Sequence, residues 1–208
     1  CTPTRAALLT GQHTARNGMW HVLPWYGLPW ARMTEPAFRE QLPREMPNLP
    51  KSLHAAGYKT GMAGKWHLTT NADGDYTSLK PEAGPAYGFD FVAPRGPNTQ
   101  NEGDKWVDHL TDAAIGFIRE QPRDQPWFFY LAHHTLHSVI SAPAELVKKH
   151  RDAGAPETGF FNATYLAAIE HMDDSIGRLM AALDEMKLRE KTLVVFMSDN
   201  GGFDTNYN

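Results

Sequence analysis

The sequence predicts an α/β protein with a mostly parallel sheet, and three observations carry that expectation. Trp127–Ala132 and Leu193–Met197 are short unbroken apolar runs, the pattern of strands covered on both faces. Two longer segments, one from Trp106 to Ile118 and one from Tyr165 to Leu183, repeat apolar residues at helical spacing. Strand-like and helix-like segments alternate along the chain, which favours helices packed on the faces of a parallel sheet.

The 208 residues are 41% hydrophobic, too apolar for a disordered chain and enough for one sizeable core. At ~150 residues per domain they make roughly one to two domains, and no segment reads as a linker between two. No apolar run approaches the ~18 residues of a membrane span. Twenty basic against 24 acidic residues leave a net charge of −4, so nothing electrostatic argues for a nucleic-acid partner. A single cysteine excludes a disulfide scaffold.

In chain order, Cys1 to Gly11 reads as a short helix, with Thr2 as cap, Pro3 in the first turn and Gly11 at the exit. Residues 18–50 hold six prolines with Trp20, Trp25, Tyr26 and Trp30 between them and read as loop. Those aromatics could wall a cleft and stack on a sugar face, or simply pack. Leu49–Ala56 suits a short helix stopped by Gly57, and Tyr58–Ala63 a strand leading into Gly64-Lys65-Trp66-His67. Residues 70–103, rich in Gly, Asn, Asp and Pro, read as surface loop. After the helix at 106–118 comes the strand at 127–132, followed at once by His133, His134 and His137. The second helix places Tyr165, Leu166, Ile169, Met172, Ile176, Leu179, Met180 and Leu183 on one face, with His171, Asp173 and Asp174 expected on its solvated side. The run at 193–197, expected to be a central strand, ends in Ser198-Asp199-Asn200-Gly201-Gly202.

Three polar clusters thus directly follow apolar strands: Lys65 with His67, the histidines 133–137, and Asp199 with Asn200. Ligands of open α/β sheets bind beyond the carboxyl ends of the strands, so one site fed by three strands is expected. Lys65 and His67 alternate on an extended segment, which points both to one face and Trp66 to the other. Asp199 and Asn200 offer hard oxygen donors that suit Ca²⁺ or Mg²⁺. The three histidines have no acidic ligand between them and match no standard zinc spacing.

A lone cysteine near a helix start is ordinarily a packing residue. Here Cys1, Pro3, Arg5, Thr10 and Gly11 together fit Cys-x-Pro-x-Arg-x-x-x-x-Thr-Gly. On this motif the chain resembles the type I sulfatases, which depend on formylglycine and belong to the alkaline-phosphatase-like superfamily. Gly64-Lys65-Trp66-His67, Gly88-Phe89-Asp90, the strand and histidines from Phe129 to His137, and Ser198 to Gly202 resemble further family segments, in family order. The implied fold is an alkaline-phosphatase-like, mostly parallel sheet flanked by helices, incomplete in this chain. Residues 1–208 would be part of an N-terminal catalytic domain, with an acidic metal-ligand strand upstream and a C-terminal subdomain outside them.

The resemblance implies a sulfuric ester hydrolase in which a separate formylglycine-generating enzyme oxidises Cys1. A hydrated aldehyde has one hydroxyl to attack sulfur and a second to drive release of sulfate, which splits one hard step into two easier ones. A helix N-terminus suits such an anion site. The family likeness assigns catalytic roles to Cys1, Arg5, Lys65, His67 and His137. Arg5 would brace the nucleophile, Lys65 bind a sulfate oxygen, His67 take the proton that drives elimination, and His137 protonate the leaving group. His137 fits the spacing to Ala142-Pro143; Leu136 and Val139 stand where family members often have proline, and His134 is the alternative substrate-binding histidine. Asp199, Asn200 and the modified Cys1 side chain would bind Ca²⁺, or Mg²⁺. The expected substrate is a sulfated small molecule or glycan, in a periplasmic, secreted or otherwise exported protein. With the upstream acids and a second lysine lying outside residues 1–208, these residues alone are expected to be inactive. A phosphonate or phosphodiester hydrolase of the same superfamily and an inactive sulfated-glycan-binding protein remain the alternatives.

Overall fold

The structure is a computed structural model that describes residues 1–24, 27–33, 35–97 and 103–202. Helix α1 (Thr2–Thr10) carries Pro3 in its first turn, and Gly11 closes it at φ 64°, donating its N–H to the Ala7 carbonyl. The short α2 (Thr14–Asn17) follows. Among the described residues from 18 to 48 there is neither helix nor strand, as the prolines predict. Helix α3 (Leu49–Ala55) starts where the Asn48 side chain accepts from the Lys51 N–H at 3.0 Å.

Among the described residues three strands form the sheet: β1 (Lys59–Gly64), β2 (Phe91–Val92) and β3 (Trp127–Ala132). All pairings are parallel, in the order β2-β1-β3, with Gly61 opposite both Phe91 and Phe129. Alternation sorts the side chains onto two faces. Met62, Phe128 and Tyr130 pack with Ala6 and Leu9 of α1 and with Trp66 and Phe89. Ala63, Phe129 and Leu131 pack on the other face with Trp106 and Leu110. That second face is covered by helix α4 (Val107–Glu120), whose Phe117 and Ile118 meet Leu183 of α6 (Ala163–Glu185). Burying each of these three side chains stabilises the fold by roughly 1.5–3 kcal/mol. Helix α5 (Ala144–Asp152) lies against α6.

Several sequence expectations need correction. Leu193–Met197 joins no ladder among the described residues, and its five side chains are 46–88% exposed. An apolar run signals a need for burial; only a pairing partner makes it a strand. Strand β3 is half-buried up to Leu131, because it lies at one side of this sheet. Thr2 is the first helical residue rather than the cap; its hydroxyl instead donates to the His67 carbonyl at 2.8 Å and accepts from Leu23 N–H. The 70–103 region is not all surface loop. It contains a 3-10 helix at Pro81–Tyr87, strand β2, and the buried side chains Leu79, Tyr87, Phe89 and Val92. On α6, Leu183 alone of the eight expected apolar residues is buried, and Ile169 is exposed. The buried positions are mostly small, Ala167, Ala168, Ser175 and Ala182, and Ser175 hydrogen-bonds Thr111 of α4. Small residues let the two helices approach closely. Helix α5 was not anticipated, because it buries no residue and so shows little apolar periodicity.

Candidate active site

The carboxyl ends of β1 and β3 and the N-terminus of α1 meet at one place, where Cys1, Arg5, Lys65 and Asp199 are brought into contact. Gly64 makes the exit from β1 possible. Its φ is 97°, and a Cβ there would lie 2.0 Å from the Ala132 carbonyl oxygen. The chain therefore turns tight against β3, with the Lys65 N–H donating to that same carbonyl at 2.7 Å. Lys65 then reaches across to α1, where its Nζ donates to Cys1 Sγ at 3.1 Å.

Arg5, one turn along α1, ties the site together. Its Nη1 donates to the Lys65 carbonyl at 2.7 Å and to the Tyr130 hydroxyl at 3.1 Å, and its Nε to Asp199 Oδ2 at 2.7 Å. Arg5 and Lys65 are both buried. Burial, and then the Arg5 charge, push the Lys65 pKa down to about 8. Burial works to raise the Asp199 pKa, but the Arg5 charge and hydrogen bond outweigh it and the net shift is downward. Two clustered cations facing a half-exposed Cys1 at a helix N-terminus form a site for an anion.

His67 does not continue the extended segment as the sequence suggested. Its φ is 58°, left-handed and strained for a residue other than glycine. Three contacts hold it there: its carbonyl accepts from Thr2, its Nε2–H donates to the Leu23 carbonyl, and its ring lies 5.2 Å from that of Tyr76. With Nε2 carrying the proton, Nδ1 is the basic nitrogen, and it is buried without a partner among the described residues. Burial lowers the His67 pKa to about 4, so the ring is neutral at pH 7.

The three histidines after β3 separate. His134 is buried with its ring edge-on to Trp106 at 5.6 Å, and burial drives its pKa well down. His133 is lowered to about 4 by burial. His137 lies in an exposed loop, its Nδ1–H donating to the Ser138 carbonyl at 2.9 Å. Its pKa is lowered chiefly by burial, and it feels Lys65, Lys105 and Asp199 together. Among the described residues the three do not form a zinc cluster.

Asp199 thus enters the site, whereas Asn200 is exposed and its amide donates to the Gly201 carbonyl at 2.9 Å. Hard oxygen donors of this kind suit Ca²⁺ or Mg²⁺. Asp199 Oδ1 and the Asn200 side-chain oxygen can supply two of the roughly six or more oxygens that Ca²⁺ takes. Elsewhere, Asp104, Asp108 and His171 bring one ligand atom each within 4.8 Å of one another. Their oxygens are already engaged: Asp104 accepts from the Trp106 and Asp108 N–H groups, and Asp108 pairs with Arg178. His171 is therefore half-buried between helices, not solvated; Asp173 and Asp174 are exposed as expected. Trp25 and Tyr26 lie outside the described residues. Trp20 packs on Phe38 and Trp30 is exposed; an open cavity of about 460 Å³ has Gly27, Leu28, Met33, Glu35, Phe38 and Glu40 among its lining residues.

Sequence reasoning missed Tyr130 and Lys105. A tyrosine within an apolar strand is a usable signal, since a buried hydroxyl needs a partner. Lys105, in a polar loop, gave no signal at all.

A family model described as Sulfatase matches residues 1–204. The chain belongs to the sulfatase family. Human arylsulfatase A is 29% identical over 97% of this chain and 42% of its own length. Human N-acetylgalactosamine-6-sulfatase is 27% identical over 97% and 41%, and a sulfatase of Formosa agariphila 26% over 98% and 48%. The chain thus spans less than half the length of these relatives. Its fold is shared with the crystal structure of Ps i-CgsB in complex with k-i-k-neocarrahexaose, at a TM-score of 0.71 and 23% identity over 97% of this chain and 48% of that one. It is also shared with the phosphonate monoester hydrolase of Agrobacterium radiobacter, at 0.59 and 16% over 95% and 52%. No helix of the described residues is long and apolar enough to cross a membrane.

Proposed function

We propose that the full-length protein is an exported sulfuric ester hydrolase, matured by a formylglycine-generating enzyme at Cys1 and acting on a carbohydrate sulfate with a divalent cation. The observation that carries this reading is the Lys65 ammonium resting on Cys1 Sγ, with Arg5 and Asp199 braced behind it. The carbohydrate class is supported by the relative named for N-acetylgalactosamine 6-sulfate. A cation held by Asp199 and Asn200 would supply positive charge next to the nucleophile and the sulfate oxygens.

The chain's own residues divide the remaining work. Lys65 binds a sulfate oxygen by charge. Arg5 fixes both the Lys65 backbone and Asp199. His67 accepts a proton at Nδ1 as sulfate leaves, and His137, in its protonated form with Nδ1–H on the Ser138 carbonyl, donates the Nε2 proton to the departing alcohol oxygen. The same cationic site also suits a phosphodiester oxyanion, which keeps that chemistry as the second reading.

Matched aryl sulfate and aryl phosphodiester substrates separate the two. The matured full-length protein should turn over the sulfate at the higher kcat/KM. A higher value on the phosphodiester would favour the second reading. Binding of sulfated glycans without turnover, unaffected by Cys1→Ala, would mean a binding protein instead.

A further inference from the structure

Lys105 is 1% exposed, yet none of the roles above uses it. A lysine so deeply buried is held by specific partners or not at all. Its Nζ donates to the Val139 carbonyl at 2.7 Å and to the His137 carbonyl at 3.2 Å. Both acceptors lie in the loop that carries His137. The backbone is left-handed on both sides of the contact, at Lys105 (φ 54°), Trp106 (φ 63°) and Leu136 (φ 52°). Non-glycine residues keep such conformations only where surrounding contacts enforce them. Trp106 adds such a contact through its edge-on packing with His134. The loop is also tied by the His137 N–H to the His134 carbonyl at 3.1 Å and by the Ser141 hydroxyl to the Gly103 carbonyl at 2.7 Å. His137 and Val139 are exposed, so Lys105 is the buried side chain that reaches the 137–139 backbone directly.

We propose that Lys105 is a positioning residue: its buried ammonium clamps the 137–139 backbone to the end of the sheet and so aims the His137 ring at the leaving-group oxygen. This rests on the reading of His137 as the proton donor. Near its site, Lys105 also feels the charge of Lys65, and burial lowers its pKa to about 8. The hydrogen bonds to two carbonyls persist when the amine is neutral, so the clamp itself does not depend on that ionisation.

Leaving-group chemistry tests the clamp. An aryl sulfate with a good leaving group needs little proton donation, whereas an alkyl or sugar sulfate needs it fully. In the matured full-length protein, Lys105→Met should lower kcat on an alkyl sulfate about 30-fold and on 4-nitrophenyl sulfate no more than about 3-fold. Lys105→Gln, which keeps one donor, should recover part of the loss. His137→Ala should show the same dependence on leaving group, and the double variant should be no worse than His137→Ala. A purely structural role for Lys105 would cut both substrates equally, through the folded fraction, and would overturn the proposal. Equal losses with Lys105→Met alongside leaving-group dependence in His137→Ala would refute the clamp alone. Absence of that dependence in His137→Ala would refute the His137 reading, and the clamp with it.

Discussion

Lys65→Met is expected to lower kcat/KM for an aryl sulfate by about 10²–10³-fold, the loss typical of one preorganised donor to a developing anion. The variant should nevertheless be at least as stable as the parent at pH 7. Lys65 titrates near 8 when folded against 10.5 when exposed, so its charged form is disfavoured by burial. Below pH 8 the folded protein carries that penalty in full, on the order of 3 kcal/mol. Between 8 and 10.5 the unfolded chain binds the extra proton, so stability rises with pH in the parent. That rise should be smaller in Lys65→Met but persist in part, because Lys105, also lowered to about 8 by burial, contributes its own. Denaturant unfolding at pH 7 and pH 10, beside steady-state kinetics, checks both halves. A residue that harms folding and aids catalysis belongs to the site; full activity in the variant would remove Lys65 from it.

His67→Ala should lower kcat by about 10²–10³-fold, because the general base is lost. Its pre-steady-state signature should be more specific than the rate. One equivalent of alcohol should appear and turnover then stall, since leaving-group departure does not use His67 but sulfate release does. A slow linear course without that burst would place His67 elsewhere in the cycle. The pH profile of the parent follows from the same geometry. His67 is a neutral base above about pH 4 and Lys65 a cation below about pH 8, while His137, lowered by burial, must be protonated to act as the acid. Activity should therefore be greatest in the acidic part of that window and fall toward neutrality on substrates that need the acid. His67 also contributes stability that is complete above its exposed value of 6.5 and lost as pH falls through about 4, because in that window the unfolded chain binds the additional proton.

Much of the fold was legible because burial leaves a period in the sequence. Helix α4 and strands β1 and β3 pack on neighbours and show it; α6 has an apolar repeat, but its buried positions are mostly the small residues between. Strand β2, two residues long, is too short to have a period, and α5 buries nothing. The run at 193–197 shows the limit of such reasoning: composition asks for burial but cannot name the strand that would provide it. In the site, Cys1, Arg5, Lys65, His67 and Asp199 were legible because each sits in a motif or at a strand end. The left-handed turn at His67 was not, since it depends on Thr2 and Leu23, brought near only by folding. Lys105 was invisible for the same reason, as its partners lie 32 and 34 residues away.

The proposed chemistry depends on what becomes of Cys1. Mass spectrometry of the peptide containing Cys1 is the most direct measurement, on full-length protein produced with a formylglycine-generating enzyme. An aldehyde in place of the thiol, accompanied by its hydrate, is the expected result. Unmodified cysteine under those conditions would contradict formylglycine catalysis at this site and leave the Lys65–Cys1 contact as a feature of an anion-binding protein.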